Sequence, residues 1–362
     1  MQKIKNLAAT ATIALLTLVA SPVRANQIVS ATGEIQLKSS GEADYRVVGV
    51  GARLKPGDIL RPAANANVTV LCNDSTLWIV PAGIPSGLNN GCSQGIAKGL
   101  RSDRWMYPQA GGNNPEIPFT ISPRTKFILD DRPLLQWNAV SEASLYLVRL
   151  EGSDDSVWET EVTDDVRVVY PDDAPPLQPG VLYSFTVEAD TGAFSDNDLS
   201  ENSQFSLLDL ATATEVRAAV ASLEELDIND EMKALAIAQV YQDYNLFEEA
   251  IGTLESLVQA ETQIPLVYQR LGILYANKSG LNLLAAERYS QGIELAIHRQ
   301  ERQILADCKA GLAAVKMRLG EVEEAEEIWE SAAAEYEALE DSESAYMLWN
   351  TIKQLKIEIG NS

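Results

Sequence analysis

The stretch IPLVYQRLGILYANKSGLNLLAAERYSQGIEL, from Ile264 to Leu295, carries the pattern that decides the fold of the C-terminal part. Apolar residues recur in it at helical spacing, and a glycine separates two helical runs. The same pattern occurs 34 residues earlier, so that Tyr241 corresponds to Tyr275 and Ala238 to Gly272. A repeat of this length predicts stacked helical hairpins, because one hairpin cannot bury its apolar face alone.

Three repeats are predicted, starting near residues 231, 265 and 306, the second with a one-residue insertion before Ala285. A small residue on each first helix (Ala238, Gly272, Ala313) lets the second helix approach closely. Residues 215–226 and 344–359 are expected to cap the stack. The pattern resembles the tetratricopeptide repeat. That resemblance implies an all-α solenoid over residues 209–362, with a concave groove that binds a protein or a peptide.

The groove face implied by the resemblance belongs to the first helix of each repeat. Its lining is polar and, on balance, uncharged. It lacks the Lys/Arg clamp that some members of the family use for an acidic peptide terminus. The predicted groove residues are Gln239, Gln242, Asp243, Gln269, Asn277 and Arg318.

Residues 1–25 have the order of a secretory signal peptide. Lys3 and Lys5 precede an apolar run from Leu7 to Ala20, and Val23 and Ala25 occupy the small-residue positions of a cleavage site. The apolar run has 14 residues, whereas a membrane span needs about 20. We therefore predict an exported protein, periplasmic, cell-surface or extracellular, without a membrane span after cleavage. An uncleaved N-terminal anchor is the alternative.

Residues 26–105 alternate apolar and polar residues in short runs that glycines interrupt, which predicts a small β domain. Gly51, Leu54, Gly57 and Asp58 form a G-x-x-L-x-x-G-D turn, and residues 74–76 fall where a second turn is expected. This stretch resembles a FecR-like domain, which implies a periplasmic or cell-surface location and no catalytic residues.

Three cysteines occur in the chain. In an oxidising compartment two nearby cysteines usually pair, so a Cys72–Cys92 disulfide is predicted, with two buried thiols as the alternative. Cys308 lies on a repeat helix without a partner. It is predicted to be a buried free thiol, or else a link to another chain.

Residues 106–116 are rich in Gly, Asn and Pro and predict a linker. Seven strand-like runs follow in residues 117–208, which indicates a β-sandwich. Trp137 lies in the second run, and Tyr183 follows Pro179 and Gly180 as in a tyrosine corner. The segment resembles a fibronectin type III or similar immunoglobulin-like domain, which implies a spacer or a protein-binding module.

The formal net charge is −24; residues 106–208 contribute −13 and residues 209–362 contribute −16. Such an acidic chain repels nucleic-acid phosphates, so nucleic acid is not an expected partner. His298 is the only histidine. It is predicted on a helix surface, and no metal site or cofactor is expected. The acidic doublets of the middle part are interpreted as solvated turns.

The predicted fold class is therefore multidomain, with two all-β modules followed by an all-α helical-repeat solenoid. The combination resembles exported bacterial proteins of the cyanobacterial type. No catalytic motif is present, and the chain is not expected to be an enzyme. The favoured function is a scaffold that binds a protein or peptide. The alternative is a structural cell-envelope protein whose β modules contact surface or cell-wall material and whose repeats self-associate.

Overall fold

The computed structural model describes residues 26–42, 44–72, 77–88, 92, 116–195 and 204–360. The predicted signal peptide, the turn at residues 74–76 and most of the predicted linker lie outside these residues. Two β-rich parts precede an all-helical part, in the order that the sequence predicts.

The first β-rich part consists of two antiparallel four-stranded sheets. Their strand orders are β4-β1-β6-β7 and β3-β2-β5-β8. Inward residues alternate with outward ones, as in β2, where Ile35 and Leu37 are buried, because successive side chains of a strand point to opposite faces. The strands are β1 Asn26–Thr32, β2 Ile35–Lys38, β3 Arg46–Val48, β4 Arg53–Leu54, β5 Ile59–Pro62, β6 Asn67–Leu71, β7 Leu77–Val80 and β8 Ser86–Gly87.

The turn that suggested a FecR-like domain has a local physical explanation. Gly57 adopts a φ of 90°, a left-handed conformation that favours glycine. The buried carboxylate of Asp58 accepts the backbone N–H of Ser40 at 3.0 Å and that of Lys55 at 2.8 Å. The G-D pair therefore fixes the entry into β5.

The second β-rich part has a five-stranded sheet, β10-β16-β15-β12-β13, and a three-stranded sheet, β14-β11-β9. All of its strand pairs are antiparallel except the parallel pair β10–β16. The strands are β9 Thr120–Ser122, β10 Phe127–Ile128, β11 Leu134–Trp137, β12 Leu145–Gly152, β13 Val157–Thr163, β14 Arg167–Val169, β15 Tyr183–Ala189 and β16 Gln204–Leu207.

Both landmarks of the predicted sandwich are confirmed. Trp137 is fully buried and makes edge contacts with Tyr146 and Phe185, with ring centroids 5.4 and 6.4 Å apart. The hydroxyl oxygen of Tyr183 accepts the backbone N–H of Gln178 at 2.8 Å. The tyrosine thus ties β15 to the chain five residues upstream.

The helical part contains eight α-helices and one π-helical turn among the described residues. Asp209 and Asn229 cap α1 and α2 by accepting backbone N–H groups of the first turn. The helices are α1 Leu210–Glu224, α2 Asp230–Asp243, α3 Phe247–Gln259, α4 Pro265–Leu274, α5 Asn282–Arg299, α6 Arg302–Arg318, α7 Val322–Ala338 and α8 Ser342–Gly360, and the π-helical turn is Tyr275–Ser279.

The helices form three hairpins, α2–α3, α4–α5 and α6–α7, with α1 before them and α8 after them, consistent with tetratricopeptide-like repeats. The third hairpin begins at Arg302, earlier than residue 306. The π-helical turn lies at the end of α4. In both repeats, a backbone hydrogen bond joins the start of the second helix to the end of the first helix. The N–H of Leu246 donates to the carbonyl of Tyr241 in the first repeat, and that of Leu281 donates to the carbonyl of Tyr275 in the second. The second path is one residue longer, so the π-helical turn contains the predicted insertion.

The β-rich parts and the helices share a hydrophobic core. Val29 and Leu71 of the first β-rich part and Phe119 of the second belong to the same buried cluster as residues of α2 to α6. Leu129 packs with Val216 of α1 and with Leu246. The three parts therefore pack on one another, which the sequence did not predict.

Candidate functional site on the helical repeats

Three of the predicted groove residues form a ladder along the stack. In each repeat, a backbone carbonyl near the end of the first helix accepts the N–H of a residue just before the second helix. These carbonyls belong to Tyr241, Tyr275 and Lys316, and each of the three groove residues lies two positions after one of them. They therefore occupy equivalent positions at the C-terminal ends of successive first helices. All three are half-buried. We call these residues the polar ladder: Asp243, Asn277 and Arg318.

Arg318 connects two rungs of the ladder. Its guanidinium donates from Nη2 to Oδ1 of Asn277 at 3.0 Å and from Nη1 to the carbonyl of Ala276 at 2.9 Å. The side chain thus reaches from the end of α6 to the end of α4. Two of the predicted residues are brought together, and their orientation is fixed by charge-assisted hydrogen bonds.

The first rung belongs to a second network. Nε2 of Gln239 donates to Oδ1 of Asp243 at 3.0 Å, and Oε1 of Gln239 accepts from Nη1 of Arg270 at 2.8 Å. Nη2 of Arg270 donates to Oε1 of Gln27 in the first β-rich part at 3.0 Å. Gln242 donates to the carbonyl of Ala238 on its own helix at 3.2 Å. Gln239 is therefore engaged with the rest of the molecule, through Arg270.

Gln269 is not accessible. It is 3% exposed, and its Nε2 donates to Oδ2 of Asp307 at 2.8 Å. The prediction that this residue lines an open groove does not fit the structure, because β4 lies against this part of the helices. Arg53 of β4 donates to the same carboxylate oxygen at 3.2 Å.

Asp307 is the centre of this contact, and sequence analysis missed it. Besides Arg53 and Gln269, it accepts from Gln303 at 3.1 Å and from the hydroxyl of Tyr336 at 2.6 Å. A carboxylate buried to this extent requires such partners. The first β-rich part also approaches α6 closely at Gly51, where an added Cβ would lie 2.6 Å from Cδ1 of Ile304. No local sequence pattern predicts contacts between residues so far apart in sequence.

The second β-rich part contacts the π-helical turn and the start of α3. Arg124 is 1% exposed, and its Nε donates to the carbonyl of Ser279 in the π-helical turn at 2.6 Å. The backbone N–H of Arg124 donates to Oε1 of Glu248 at 2.6 Å, and that of Leu129 donates to Oε1 of Glu249. The start of α3 thus binds the second β-rich part through two carboxyl groups.

Burial sets the protonation of this carboxyl pair. It raises the pKa of Glu249 to about 8, because the charged form loses its hydration, and the same cause raises the pKa of Glu248. Oε2 of Glu249 is buried and has no hydrogen-bond partner among the described residues. A proton on that oxygen agrees with the raised pKa.

The predicted disulfide is confirmed. Cys72 and Cys92 are bonded, with their Cα atoms 5.4 Å apart. Cys308 is a buried free thiol, as predicted, and burial raises its pKa well above the ordinary value. A thiol that stays protonated is a poor nucleophile. His298 lies exposed near the end of α5.

Within the described residues, no three His, Cys, Asp or Glu side chains are grouped as a metal site would require. None of the helices in that part of the chain combines the length and the apolarity needed to cross a membrane.

No protein-family model matches the sequence, and no curated protein is significantly similar to it. Among solved structures, the chain is similar to MamA, with 18% identity and a TM-score of 0.28, over 43% of this chain and 99% of that one. A Podosopora anserina kinesin light chain with nearly identical TPR-like repeats gives 18% identity and a TM-score of 0.29, over 42% and 89%. The FN1–FN3 domains of chicken CNTN1 give 15% and 0.18, over 46% and 51%.

Proposed function

We propose that this protein is an exported, non-catalytic scaffold that binds a protein or a peptide through its helical repeats. The observation that carries the proposal is the polar ladder. It places one acidic, one neutral and one basic side chain at equivalent positions where the first helices of three successive repeats end. Such a periodic row of hydrogen-bonding groups suits a polypeptide that runs across the stack.

The binding surface in this proposal is narrower than the groove that the sequence suggested. Among the described residues, the β-rich parts contact α3, α4, α6 and the π-helical turn, so we place the binding surface on the rim that these contacts leave. The polar ladder and Gln242 lie at the C-terminal ends of the first helices, and all four are half-buried rather than buried. Gln239 supports this rim through its bond to Asp243, whereas Gln269 is buried against Asp307.

Export is part of the proposal and has two supports. The sequence of residues 1–25 has the order of a signal peptide. The Cys72–Cys92 disulfide fits an oxidising compartment, since such bonds are rare where thiols are kept reduced. We assign no reaction to the chain, because neither His298 nor Cys308 lies in a setting that activates it.

Site-specific photo-crosslinking in the producing cells tests the proposal. A photoreactive phenylalanine analogue would replace Asp243 in the full chain. As a matched control it would replace Glu294, which is exposed on α5. We expect one discrete crosslinked protein from position 243 and none from position 294. A crosslinking pattern that is the same at both positions, or empty at position 243, would show that the ladder is not the binding surface.

A further inference from the structure

The last helix has an apolar face that the described part of the chain does not cover. Tyr346, Trp349 and Ile357 are 72%, 39% and 47% exposed. They lie with Lys353 at spacings of three and four residues, so the four side chains share one side of α8 over about 16 Å. We call these four residues the rear stripe. Faces of a repeat stack that no neighbour covers are usually polar, and this face of α8 is not.

The rear stripe can be compared with the equivalent side of α6, the first helix of the preceding hairpin. The backbone N–H of Glu301 bonds to the carbonyl of Ala296 before α6, and that of Asp341 bonds to Tyr336 before α8. This common bond aligns the two helices, so Trp349 is the counterpart of Lys309, and Lys353 of Ala313.

On α6, these counterparts face the next helix. Lys309 pairs with Glu335 of α7 at 3.3 Å, and Ala313 is buried against Ala325 and Trp329. The rear stripe of α8 therefore corresponds to the side on which α6 packs against α7. In the described chain, no helix follows α8.

The charges on α8 favour a second copy of the same helix. Whole molecules of net charge −24 repel one another. Helix α8 is less acidic than the rest of the chain, because its sequence has two glutamates and two lysines. By contrast, α7 carries seven glutamates and no basic residue. Self-association through α8 therefore meets less repulsion than self-association through α7 would.

We propose that two copies of this chain associate through the rear stripe, with their α8 helices antiparallel about a two-fold axis at the level of Leu348 and next to Trp349. In that arrangement Lys353 of each copy lies opposite Glu343 of the other, so the ion pair forms twice. The two Trp349 rings meet near the axis. A two-fold interface of this kind uses the same patch on both copies and closes at the dimer. The surface is separate from the polar ladder, so the proposal stands independently of the partner-binding function.

Sedimentation velocity of the full mature chain over a wide concentration range tests this. We expect a monomer–dimer equilibrium. Trp349→Glu should weaken it by at least roughly tenfold, because central tryptophans are typical hot spots of interfaces. Ile79→Glu is the matched control, since Ile79 is 65% exposed on β7, and its dimer should be unchanged. A parent protein that stays monomeric at every concentration, or a Trp349→Glu variant that dimerises like the parent, overturns the proposal.

A charge exchange distinguishes this geometry from any other contact through α8. Lys353→Glu and Glu343→Lys should each weaken the dimer, and the double variant should restore it, because both partners of each ion pair are then exchanged. Glu343 also lies 3.5 Å from Lys55, but both side chains are more than 75% exposed and such a pair contributes little. A double variant no better than either single variant would exclude the antiparallel arrangement.

Discussion

At the residue scale, one tyrosine explains why two helices carry glycine. The ring of Tyr289 on α5 packs against the backbone of both α4 and α6. A Cβ added to Gly272 would lie 2.6 Å from this ring, and one added to Gly311 would lie 2.4 Å from it. The repeat pattern predicted Gly272 as a close-approach position. It did not predict Gly311, because that residue lies outside the family's small-residue positions and its role depends on a contact between repeats.

Gly272→Ala should therefore lower the free energy of unfolding by about 1–3 kcal/mol, since the extra methyl group overpacks a filled site. Gly252→Ala is the matched control, because a Cβ there meets nothing within 4 Å. It should be neutral or stabilising by about 0.5–1 kcal/mol, since alanine favours the helix. Urea denaturation followed by circular dichroism compares the two. Equal stabilities would contradict the packing explanation.

Tyr183→Phe removes the acceptor of the Gln178 N–H and leaves that group without its partner. We expect a loss of about 1 kcal/mol in the free energy of unfolding, without a change of fold. Tyr45→Phe is a suitable control, because that side chain is only half-buried and lies outside both proposed binding surfaces. Chemical denaturation of the full chain measures both. An unchanged stability for Tyr183→Phe would mean that the tyrosine corner contributes only through its ring.

At the element scale, the π-helical turn shows what a repeat count can and cannot predict. The one-residue insertion was evident from the spacing, but its location was not. The structure places it at the end of α4, where the wider turn presents the carbonyl of Ser279 to Arg124. π-Helical turns often occur at functional positions. Here the turn accepts a hydrogen bond from the second β-rich part.

The disulfide also acts at the scale of elements, because it links the end of β6 to the segment after β8. Replacing Cys72 and Cys92 together by alanine should destabilise the first β-rich part. The expected loss is about 3 kcal/mol for a closed loop of this length. Denaturation of the double variant beside the oxidised parent measures the difference. Thiol titration of the denatured parent should find only Cys308, and three reactive thiols would contradict the bond.

At the scale of the whole molecule, the sequence predicted the order of the parts but not their packing. Periodicity and turn residues report on neighbours in the chain. The contacts of Arg53 with Asp307 and of Arg124 with Ser279 join residues 254 and 155 positions apart. No periodicity connects them. For the same reason, Gln269 was predicted at an open surface although β4 lies near its helix.

The carboxyl pair at the start of α3, which contacts the second β-rich part, predicts that the stability of the fold depends on pH. The pKa of Glu249 is about 8 in the folded protein against 4.5 for an ordinary glutamate. The folded state therefore holds one more proton than the unfolded state between these values. Stability from this group is complete below pH 4.5 and is lost as the pH rises through 8.

Glu249→Gln should remove this dependence, because the amide stays neutral and its oxygen can still accept the N–H of Leu129. We expect urea denaturation across the window to show a flatter profile for the variant than for the parent. Glu294→Gln, at an exposed position, should keep the parental slope. Parallel profiles for the parent and Glu249→Gln would show that Glu249 is ionised in the folded protein.

The packing of the first β-rich part on the helices has a consequence for the order in which the chain can fold. A ribosome releases Gln27 and Arg53 long before it makes Arg270 and Asp307, which lie 243 and 254 residues further on. The segment that is synthesised first therefore meets its last contacts only when the polypeptide is nearly complete. Such sequence-distant contacts slow folding, and until they form, Val29 and Leu71 face water. The early segment then depends on protection from aggregation for as long as synthesis lasts.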